Sequence, residues 1–274
     1  MRRSFAVASQ WLVLTCLAGS AAAADLFAVQ FPGPTPLYSV NEATGALTAI
    51  GDTSFANVAD LTSDPLTGTL WGIDVATNQL LTINRHTGAA SLAAQLDSPT
   101  PIASIAFDPV TRRLFGNTAV GFGKTTQDTL YAIDPSSGST TLIGPLGVDF
   151  SQVYALGFDQ HGVLFGIADS SKQLITIDPT TGAGAMVGNS LSVNAAFDLA
   201  SRPSDNTMFL ADSTSNALYK LNTADGVLTE IGPYGGTANI VGLAFLAPAP
   251  EPSVYLALAA GLALLALARR RLPH

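Results

Sequence analysis

The chain has 274 residues, of which 47% are hydrophobic and 12% charged, and its formal net charge is −8. When residues 1–24 and the three terminal arginines are set aside, seven Lys or Arg remain against twenty Asp or Glu. This balance excludes a nucleic-acid partner, because phosphate binding depends on clustered Lys and Arg. Cys16 is the only cysteine, so the remainder of the chain has neither disulfides nor thiol chemistry.

The N-terminal segment has the pattern of a secretory signal peptide. Arg2 and Arg3 supply positive charge, an apolar stretch runs from Trp11 to Gly19, and Ala22 and Ala24 form an A-x-A-like cleavage site. We therefore expect signal peptidase to cut after Ala24, so that residues 1–24 are removed and the mature chain begins near residue 25.

Two other export signals remain as alternatives. Arg2-Arg3-Ser4-Phe5 loosely resembles a twin-arginine signal, although paired arginines are also ordinary charge for this region. Val13-Leu14-Thr15-Cys16 resembles a lipoprotein box, but Thr15 is unfavourable before a lipidated cysteine. An ordinary cleaved signal peptide is the preferred interpretation.

One pattern recurs five times in the body of the chain. Each copy is a short apolar run that ends in Asn or Asp, with a glycine four residues later. The runs are Leu37–Asn41, Leu80–Asn84, Leu130–Asp134, Leu174–Asp178 and Leu218–Asn222, with spacings of 43, 50, 44 and 44 residues. The Asx side chain can accept backbone hydrogen bonds and the glycine can adopt positive φ, so each copy predicts a hairpin turn.

A second module recurs in step with the first. Its copies are Val58–Asp64, Ile102–Asp108, Val153–Asp159, Asn194–Arg202 and Ile240–Leu246. In one repeat we predict an inner strand at Ile102–Phe107, a second at Leu114–Gly116, a third at Thr129–Ile133 and an outer one at Thr140–Ile143. Repeats of about 40 to 50 residues with several strands each are typical of propellers. We therefore predict an all-β fold, a five-bladed β-propeller of four-stranded blades spanning residues 25–247.

The phase of the repeat predicts how the ring closes. Leu26–Val29 matches a second strand and Ile240–Phe245 matches an inner strand, so we expect the two chain ends to pair within one blade. The inner strands also alternate large and small residues, which would let the bulky face of one blade pack on the small face of the next. The large residues are Leu61, Ile105, Leu156, Leu199 and Leu243, and the small ones are Thr62, Ala106, Gly157, Ala200 and Ala244.

Two of the repeated segments carry a family resemblance. Ile105-Ala106-Phe107-Asp108-Pro109 and Leu130-Tyr131-Ala132-Ile133-Asp134 resemble motifs of the broad NHL, quinoprotein-like and YncE-like propeller superfamily. The resemblance spans the five copies and implies the architecture. It implies very little about activity, because propellers serve many functions.

Residues 248–274 combine three elements in a fixed order. Pro250-Glu251-Pro252 precedes an apolar run, Val254–Ala268, which is followed by Arg269, Arg270 and Arg271. The apolar run predicts a transmembrane helix over 254–268 of about 22 Å. That length is short of a roughly 30 Å hydrocarbon core, so local thinning and snorkelling arginines would have to compensate. By the positive-inside rule the arginines stay in the cytoplasm and the propeller lies across the membrane.

This tail closely resembles the PEP-CTERM sorting signal, with Ala249 where valine is usual before the motif. The resemblance implies export by a Gram-negative bacterium that makes exopolysaccharide, and processing by an exosortase. We expect the tail to be held transiently in the inner membrane until it is cut near Glu251. The propeller would then be released to the cell surface or extracellular matrix.

The propeller shows no catalytic constellation at the level of sequence. Glycosidases need paired carboxylates, but Glu42 falls in a predicted turn and Glu230 on a predicted outer strand. His86 and His161 also lie in predicted turns, and no nucleophile is placed beside either.

Asp60 and Asp198 occupy equivalent positions on two inner strands, where Ser104, Ala155 and Gly242 hold the other three. They are candidate ligands for a hard cation such as Ca²⁺ in the channel, together with backbone carbonyls. The alternative is a pair of solvated channel carboxylates. Aspartates at the strand ends are predicted to cap turns rather than bind metal. They are Asp64, Asp74, Asp108, Asp159, Asp169 and Asp212.

The sequence thus favours a non-enzymatic binding or structural module with a polysaccharide or protein ligand and no cofactor. The alternative is a propeller enzyme of lactonase or quinoprotein type, in which Asp60 and Asp198 hold a metal. The two differ in whether calcium binds the channel.

Overall fold

The computed structural model describes residues 25–33, 35–121, 127–193, 195–236 and 239–246. These residues form twenty β-strands in five antiparallel sheets of four strands each. No helix in this described part is long and apolar enough to span a bilayer. The predicted signal peptide, the sorting motif and the predicted transmembrane segment 254–268 all lie outside the described residues, so they remain predictions.

We number the blades in chain order and name their strands from the axis outward. Blade 1 contains β20 (Ile240–Leu246), β1 (Asp25–Gln30), β2 (Pro36–Val40) and β3 (Leu47–Asp52). Blade 2 contains β4 (Val58–Asp64), β5 (Thr69–Asp74), β6 (Gln79–Ile83) and β7 (Ala90–Gln95). Blade 3 contains β8 (Ser104–Phe107), β9 (Leu114–Thr118), β10 (Thr129–Ile133) and β11 (Thr140–Pro145). Blade 4 contains β12 (Val153–Phe158), β13 (Leu164–Ala168), β14 (Gln173–Ile177) and β15 (Gly184–Val187). Blade 5 contains β16 (Ala196–Ser201), β17 (Met208–Asp212), β18 (Ala217–Leu221) and β19 (Leu228–Pro233).

The two ends of the described chain close the ring, as predicted. β20 pairs antiparallel with β1, and the register places Leu26 opposite Phe245 and Asp25 opposite Leu246. Blade 1 therefore has its innermost strand from one end of the chain and its other three from the opposite end. Asp25 and Leu246 consequently lie side by side at one edge of this blade.

The repeated Asx and glycine residues form the hairpin between the third and outer strands of every blade. In each turn the glycine N–H donates to the carbonyl oxygen of the Asx residue at 2.8 Å. The five glycines have φ between +77° and +81°, which a residue with a Cβ rarely adopts. They are Gly45, Gly88, Gly138, Gly182 and Gly226. The predicted turn chemistry is confirmed.

The five inner strands run in the same direction around the axis, and each contacts the inner strands of both neighbouring blades. The apolar core lies between blades, in five clusters of buried side chains. Gly157 shows the predicted fit of small against large faces, because a Cβ added there would lie 2.7 Å from the Cβ of Leu199 on the next blade. Packing between blades therefore depends on a small residue at that point.

The rim of the ring is held by a second set of contacts, in which a hairpin of one blade sits on the outer strand of the preceding blade. A Cβ added to Gly144 on β11 would lie 2.1 Å from the carbonyl oxygen of Thr181 in the next hairpin. Gly51 on β3 stands in the same relation to Thr87, at 2.0 Å. Backbones approach this closely only where no side chain intervenes.

Candidate functional site

A ring of five side chains lines the end of the channel at which the inner strands begin. In four inner strands the residue at this position is an extra one, as shown by a register shift against the adjacent strand. Such a bulge interrupts the alternation of side chains between the two faces of the sheet and turns one side chain in a different direction. We call this set the upper ring; it comprises Ala59, Ala103, Tyr154, Phe197 and Val241. Together with Phe31 they surround a cavity of about 250 Å³, part of it open to solvent.

Two aromatic side chains lie side by side in the upper ring. The rings of Tyr154 and Phe197 stack at 5.5 Å with an interplanar angle of 19°. The Tyr154 hydroxyl donates to the carbonyl oxygen of Val120 at 3.0 Å, which fixes the orientation of its ring. Both rings are only half-buried. This end of the channel is therefore an apolar surface with a fixed geometry.

Directly below the upper ring, Asp60 and Asp198 meet at the axis. Both residues have 0% exposed surface, and their carboxyl groups are hydrogen-bonded to each other. Their blades, 2 and 5, both neighbour blade 1, whose equivalent residue is Gly242. Because Gly242 has no side chain, the two carboxyl groups can meet across it. The structure thus brings the two predicted residues together, but buried rather than solvated.

Each carboxyl group also joins two blades. Asp60 accepts hydrogen bonds from the N–H of Leu61 in its own strand and from the N–H of Ile105 in blade 3, both at 2.7 Å. Asp198 repeats this pattern with the N–H groups of Leu199 and, in blade 1, Leu243. Each aspartate therefore fastens its blade to the next one around the ring.

Burial determines the protonation of the pair. It raises the pKa of Asp60 to about 7, although hydrogen bonds from Asp198, Ser104 and the backbone lower that pKa. The pKa of Asp198 is raised further above its ordinary value, first by burial and then by the negative charge of Asp60. Two carboxyl groups in contact cannot both ionise easily, so at neutral pH they share a proton.

The pair fits a proton better than a calcium ion. Calcium takes six to eight oxygen ligands, whereas here two carboxyl groups meet and every one of their oxygens already accepts a backbone N–H. Those N–H groups direct their positive ends at the oxygens. Among the described residues no cluster of three or more His, Cys, Asp or Glu is placed to hold a metal. Calcium binding by Asp60 and Asp198 stays a prediction that the donor set does not favour.

The opposite end of the channel, where the inner strands finish, holds a wider depression. We call it the lower pocket; it contains about 450 Å³ of space, part of it open to solvent. Its walls include Phe107, Phe158 and Phe245, and its edge includes Pro65, Pro109 and Pro203 from the turns that follow inner strands. The buried aspartate pair lies between this pocket and the upper ring.

The other aspartates singled out in the sequence lie at strand ends, and five of the six cap turns as predicted. Asp64, for example, accepts the N–H of Leu66 at 2.9 Å. Backbone N–H groups are accepted in the same way by Asp74, Asp108, Asp159 and Asp212. Asp169 instead has an ion pair with Lys172 at 2.6 Å.

The two histidines and two glutamates of the described residues also lie where the sequence placed them. The side chain of His161 is 75% exposed and approaches Asp159 at 3.4 Å, and His86 lies in an exposed turn. Glu42 lies in a turn and binds Arg202 at 2.8 Å, and Glu230 lies on the outer strand β19. None of these side chains lines the upper ring or the lower pocket.

Sequence reasoning missed the upper ring and the lower pocket. Every upper-ring residue directly precedes one of the five equivalent axial positions, so the repeat alignment already contained the signal. A bulge, however, depends on pairing with the adjacent strand and leaves no local sequence mark. Tyr154 and Phe197 therefore looked like ordinary strand residues.

Solved structures share this architecture at low sequence identity. A chain in the crystal structure of a nidogen/laminin complex matches with a TM-score of 0.53 and 12% identity, over 77% of this chain and 76% of that one. A protein of unknown function from Bacteroides thetaiotaomicron VPI-5482 matches with a TM-score of 0.47 and 14% identity, over 76% of this chain and 64% of that one. No protein-family model and no curated protein matches the chain. The similarity to the chain of the nidogen/laminin complex shows the fold alone.

Proposed function

We propose that this protein is an exported, non-enzymatic binding or structural module of the cell envelope or extracellular matrix. Its tail is the processing site of an exosortase, and its propeller presents the upper ring to a polysaccharide or protein ligand. The sequence patterns of residues 1–24 and 248–274 support the export and processing steps.

One observation carries the non-enzymatic part of this proposal. The only carboxyl groups at the axis in the described part of the chain are Asp60 and Asp198, and both are fully buried and hydrogen-bonded to backbone N–H groups. A general acid must lie within hydrogen-bond reach of its substrate, and a metal ligand needs an oxygen that is free to coordinate the ion. These two aspartates instead hold neighbouring blades together through hydrogen bonds. The carboxyl groups at the axis therefore stabilise the ring.

The upper ring supports a binding role. Tyr154 and Phe197 present a half-buried aromatic surface, with Ala103 and Val241 of the neighbouring blades on either side of it in the ring. Aromatic residues are enriched where proteins bind partners, since they bury a large area at little cost in side-chain entropy. An aromatic surface of this kind suits either the apolar face of a sugar ring or an apolar side chain of a protein.

Binding to the exopolysaccharide of the producing cell tests this role. The propeller, residues 25–246, would be titrated with the purified polymer. We expect Phe197→Ala and Tyr154→Ala each to weaken binding about tenfold or more, as loss of an aromatic anchor does. Tyr154→Phe keeps the ring but loses the hydrogen bond that orients it, so it should bind more weakly than the wild type and more tightly than Tyr154→Ala. Met186→Ala on the outer strand β15, where the side chain is 67% exposed, should bind normally. Equal affinity of all four variants would reject the upper ring as the contact.

Processing is tested separately on the full chain in its own cell. Mass spectrometry of the protein at the surface should find a C-terminus near Glu251. Replacing Pro250, Glu251 and Pro252 by alanine should leave the uncut chain in the inner membrane. An intact tail on the mature protein at the surface would contradict processing by an exosortase. It would leave the proposal of ligand binding at the upper ring unchanged.

A further inference from the structure

The cavity of the upper ring is small and lined almost entirely by hydrocarbon. Part of its space is open to solvent, and the enclosed part has room for a single group of about the size of a water molecule. Tyr154 is the one lining residue with a polar side chain, and its hydroxyl is directed to the carbonyl oxygen of Val120. A bound water needs about two to four polar partners, so the enclosed space suits an apolar group of that size instead. A methyl group meets this description.

The size of this space discriminates between classes of ligand. Protein partners are anchored mainly by large side chains such as Trp, Tyr and Arg, which do not fit in it. A polysaccharide carries methyl groups at the ends of its acetyl substituents, which project from the sugar ring on a short arm. Such a methyl group can enter the cavity while the sugar ring stays outside, against the half-buried rings of Tyr154 and Phe197. The faces of aromatic rings are negative and attract the hydrogens of the methyl group.

Negative charge lies close to the upper ring. Four aspartates pair or bond with residues one or two positions before a residue of the ring. They are Asp74, Asp128, Asp169 and Asp212. Asp128 and Asp169 act on the ring itself, since the pKa of Tyr154 is raised first by burial and then by their charges. Among the described residues only Asp169 of these four forms an ion pair, with Lys172 at 2.6 Å. An acidic polymer would be repelled here, so a neutral one fits better.

We propose that the upper ring binds an acetyl group of a neutral polysaccharide, with the methyl group in the cavity and the sugar ring against Tyr154 and Phe197. This inference rests on the proposed function, because it names the ligand of the same site. Ester-linked and amide-linked acetyl groups present the same methyl group, and the experiment separates them.

Removing acetyl groups from the ligand tests the proposal without changing the protein. The mature protein would be titrated with the exopolysaccharide of the producing cell in three forms. The first is native, the second has lost its acetyl esters in mild hydroxide, and the third has also lost its acetyl amides in strong hydroxide. We expect one of the two treatments to weaken binding about tenfold, because one methyl-sized group in an apolar site is worth about that factor. The treatment that does so identifies the linkage.

The polymer itself supplies the controls for this test. Strong hydroxide leaves amines, whose positive charge would be attracted to the acidic chain, so a loss of affinity cannot come from charge. Re-acetylation should restore binding, which excludes damage to the polymer. Propionylation adds one carbon more than the cavity can enclose and should not restore it.

Filling the cavity is the matching change in the protein. Ala59 lines the cavity and is partly exposed, so Ala59→Val adds methyl groups within the enclosed space. We expect this variant to bind the native polymer about tenfold more weakly, and to differ little from the wild type in binding the deacetylated polymer. Ala49→Val adds the same atoms at an exposed position of the outer strand β3 and should bind like the wild type. Val241→Ala enlarges the cavity and should bind the propionylated polymer more tightly than the wild type does.

The possible failures are distinguishable. If Phe197→Ala weakened binding of the native polymer but neither hydroxide treatment nor Ala59→Val did, the acetyl assignment would be wrong and the proposed function would stand. If protease treatment of the polymer preparation abolished binding, the occupant would be a protein, which also overturns this inference. Failure of the native polymer and of any protein in its preparation to bind would overturn the proposed function, and this inference with it.

Discussion

Aspartates at the axis and aspartates at the rim accept similar hydrogen bonds, but their pKa values are shifted in opposite directions. At the rim, Asp134 accepts the N–H and hydroxyl of Ser136 at 2.9 and 2.7 Å, and these bonds, led by the one from the hydroxyl, lower its pKa. At the axis, Asp60 accepts two backbone N–H groups and a hydroxyl, yet its pKa is raised to about 7. The difference is burial, which disfavours the charged form at the axis and is negligible at the rim.

The two regions also differ in the reach of their contacts. Asp134 binds residues two and three positions along the chain, so it shapes one turn. Asp60 and Asp198 each bind a residue 45 positions away in the next blade. Loss of a rim aspartate should therefore affect one hairpin, while loss of an axial aspartate should weaken the closure of the ring.

The largest effect is expected from Asp198→Ala. The substitution leaves the N–H groups of Leu199 and Leu243 buried without an acceptor and leaves Asp60 without its partner. A buried N–H left without an acceptor costs about 1–3 kcal/mol, so the two together should cost about 2–6 kcal/mol. Urea unfolding should show this loss in the free energy of unfolding.

Ser104→Ala is the matched control at the equivalent position of blade 3, where the hydroxyl donates to Asp60 at 2.5 Å. It removes one hydrogen bond and should cost about 1–2 kcal/mol. If Asp198→Ala were no more harmful than this control, the aspartates would not be fastening the ring.

The pH dependence of stability should be the next largest effect. The folded-state pKa values of Asp60 and Asp198 are raised above those of the unfolded chain, so the pair stabilises the fold most below about pH 4. This contribution is lost as the pH rises through about 7. One retained proton corresponds to about 1.4 kcal/mol per pH unit. We expect the free energy of unfolding to fall by about 2 kcal/mol or more between pH 5 and pH 7.

Asp198→Asn removes one titrating group and should reduce this decline, whatever it does to stability at a single pH. Slopes are compared rather than absolute values, because an amide nitrogen cannot accept the backbone N–H groups that the carboxyl group accepts. A wild-type stability that is flat or rises from pH 5 to pH 8 would show that the axial pair is not protonated.

The rim could be predicted from sequence far better than the axis. The third strand of blade 3, Thr129–Ile133, has the predicted bounds, because the Asp and glycine that end it act locally. Its inner strand begins at Ser104 instead of Ile102, and its outer strand reaches Pro145, because these ends depend on neighbouring strands. Local turn chemistry is encoded in a few adjacent residues, whereas strand pairing is not.

The candidate site shows the same division. The repeat alignment identified Asp60 and Asp198 as equivalent, and it also showed Gly242 at the position between them. Their burial and contact follow from the diameter of the closed ring, which no single repeat encodes. The aromatic pair of Tyr154 and Phe197 was missed for the same reason, since a bulge in each strand turns these side chains to the axis.

A smaller effect is expected at the rim, from substitutions of Asp134. Three of the other four hairpins carry an asparagine at the same position, and each accepts the N–H two residues on through its Oδ1; they are Asn41, Asn84 and Asn222. Asp134→Asn should therefore keep the turn and leave the melting temperature unchanged. Asp134→Ala removes the acceptor and should lower it slightly. If Asp134→Asn lowered the melting temperature as much as Asp134→Ala, the turn would be stabilised by the negative charge rather than by the backbone hydrogen bond.

Calcium is expected to have no effect on stability. This test distinguishes a binding module from the alternative of a propeller enzyme. A calcium concentration one hundred times the Kd of a site would raise the free energy of unfolding by about 2.7 kcal/mol. For a chain of this size, that corresponds to several degrees in melting temperature. Because N–H groups already occupy the oxygens of Asp60 and Asp198, millimolar Ca²⁺ should not shift the melting temperature measured by calorimetry. A calcium-dependent rise that Asp198→Ala abolishes would reverse the interpretation of the axis, since it would make the two aspartates ligands of a metal and favour a propeller enzyme. The same rise persisting in Asp198→Ala would place the calcium elsewhere and leave the axial pair as a fastener.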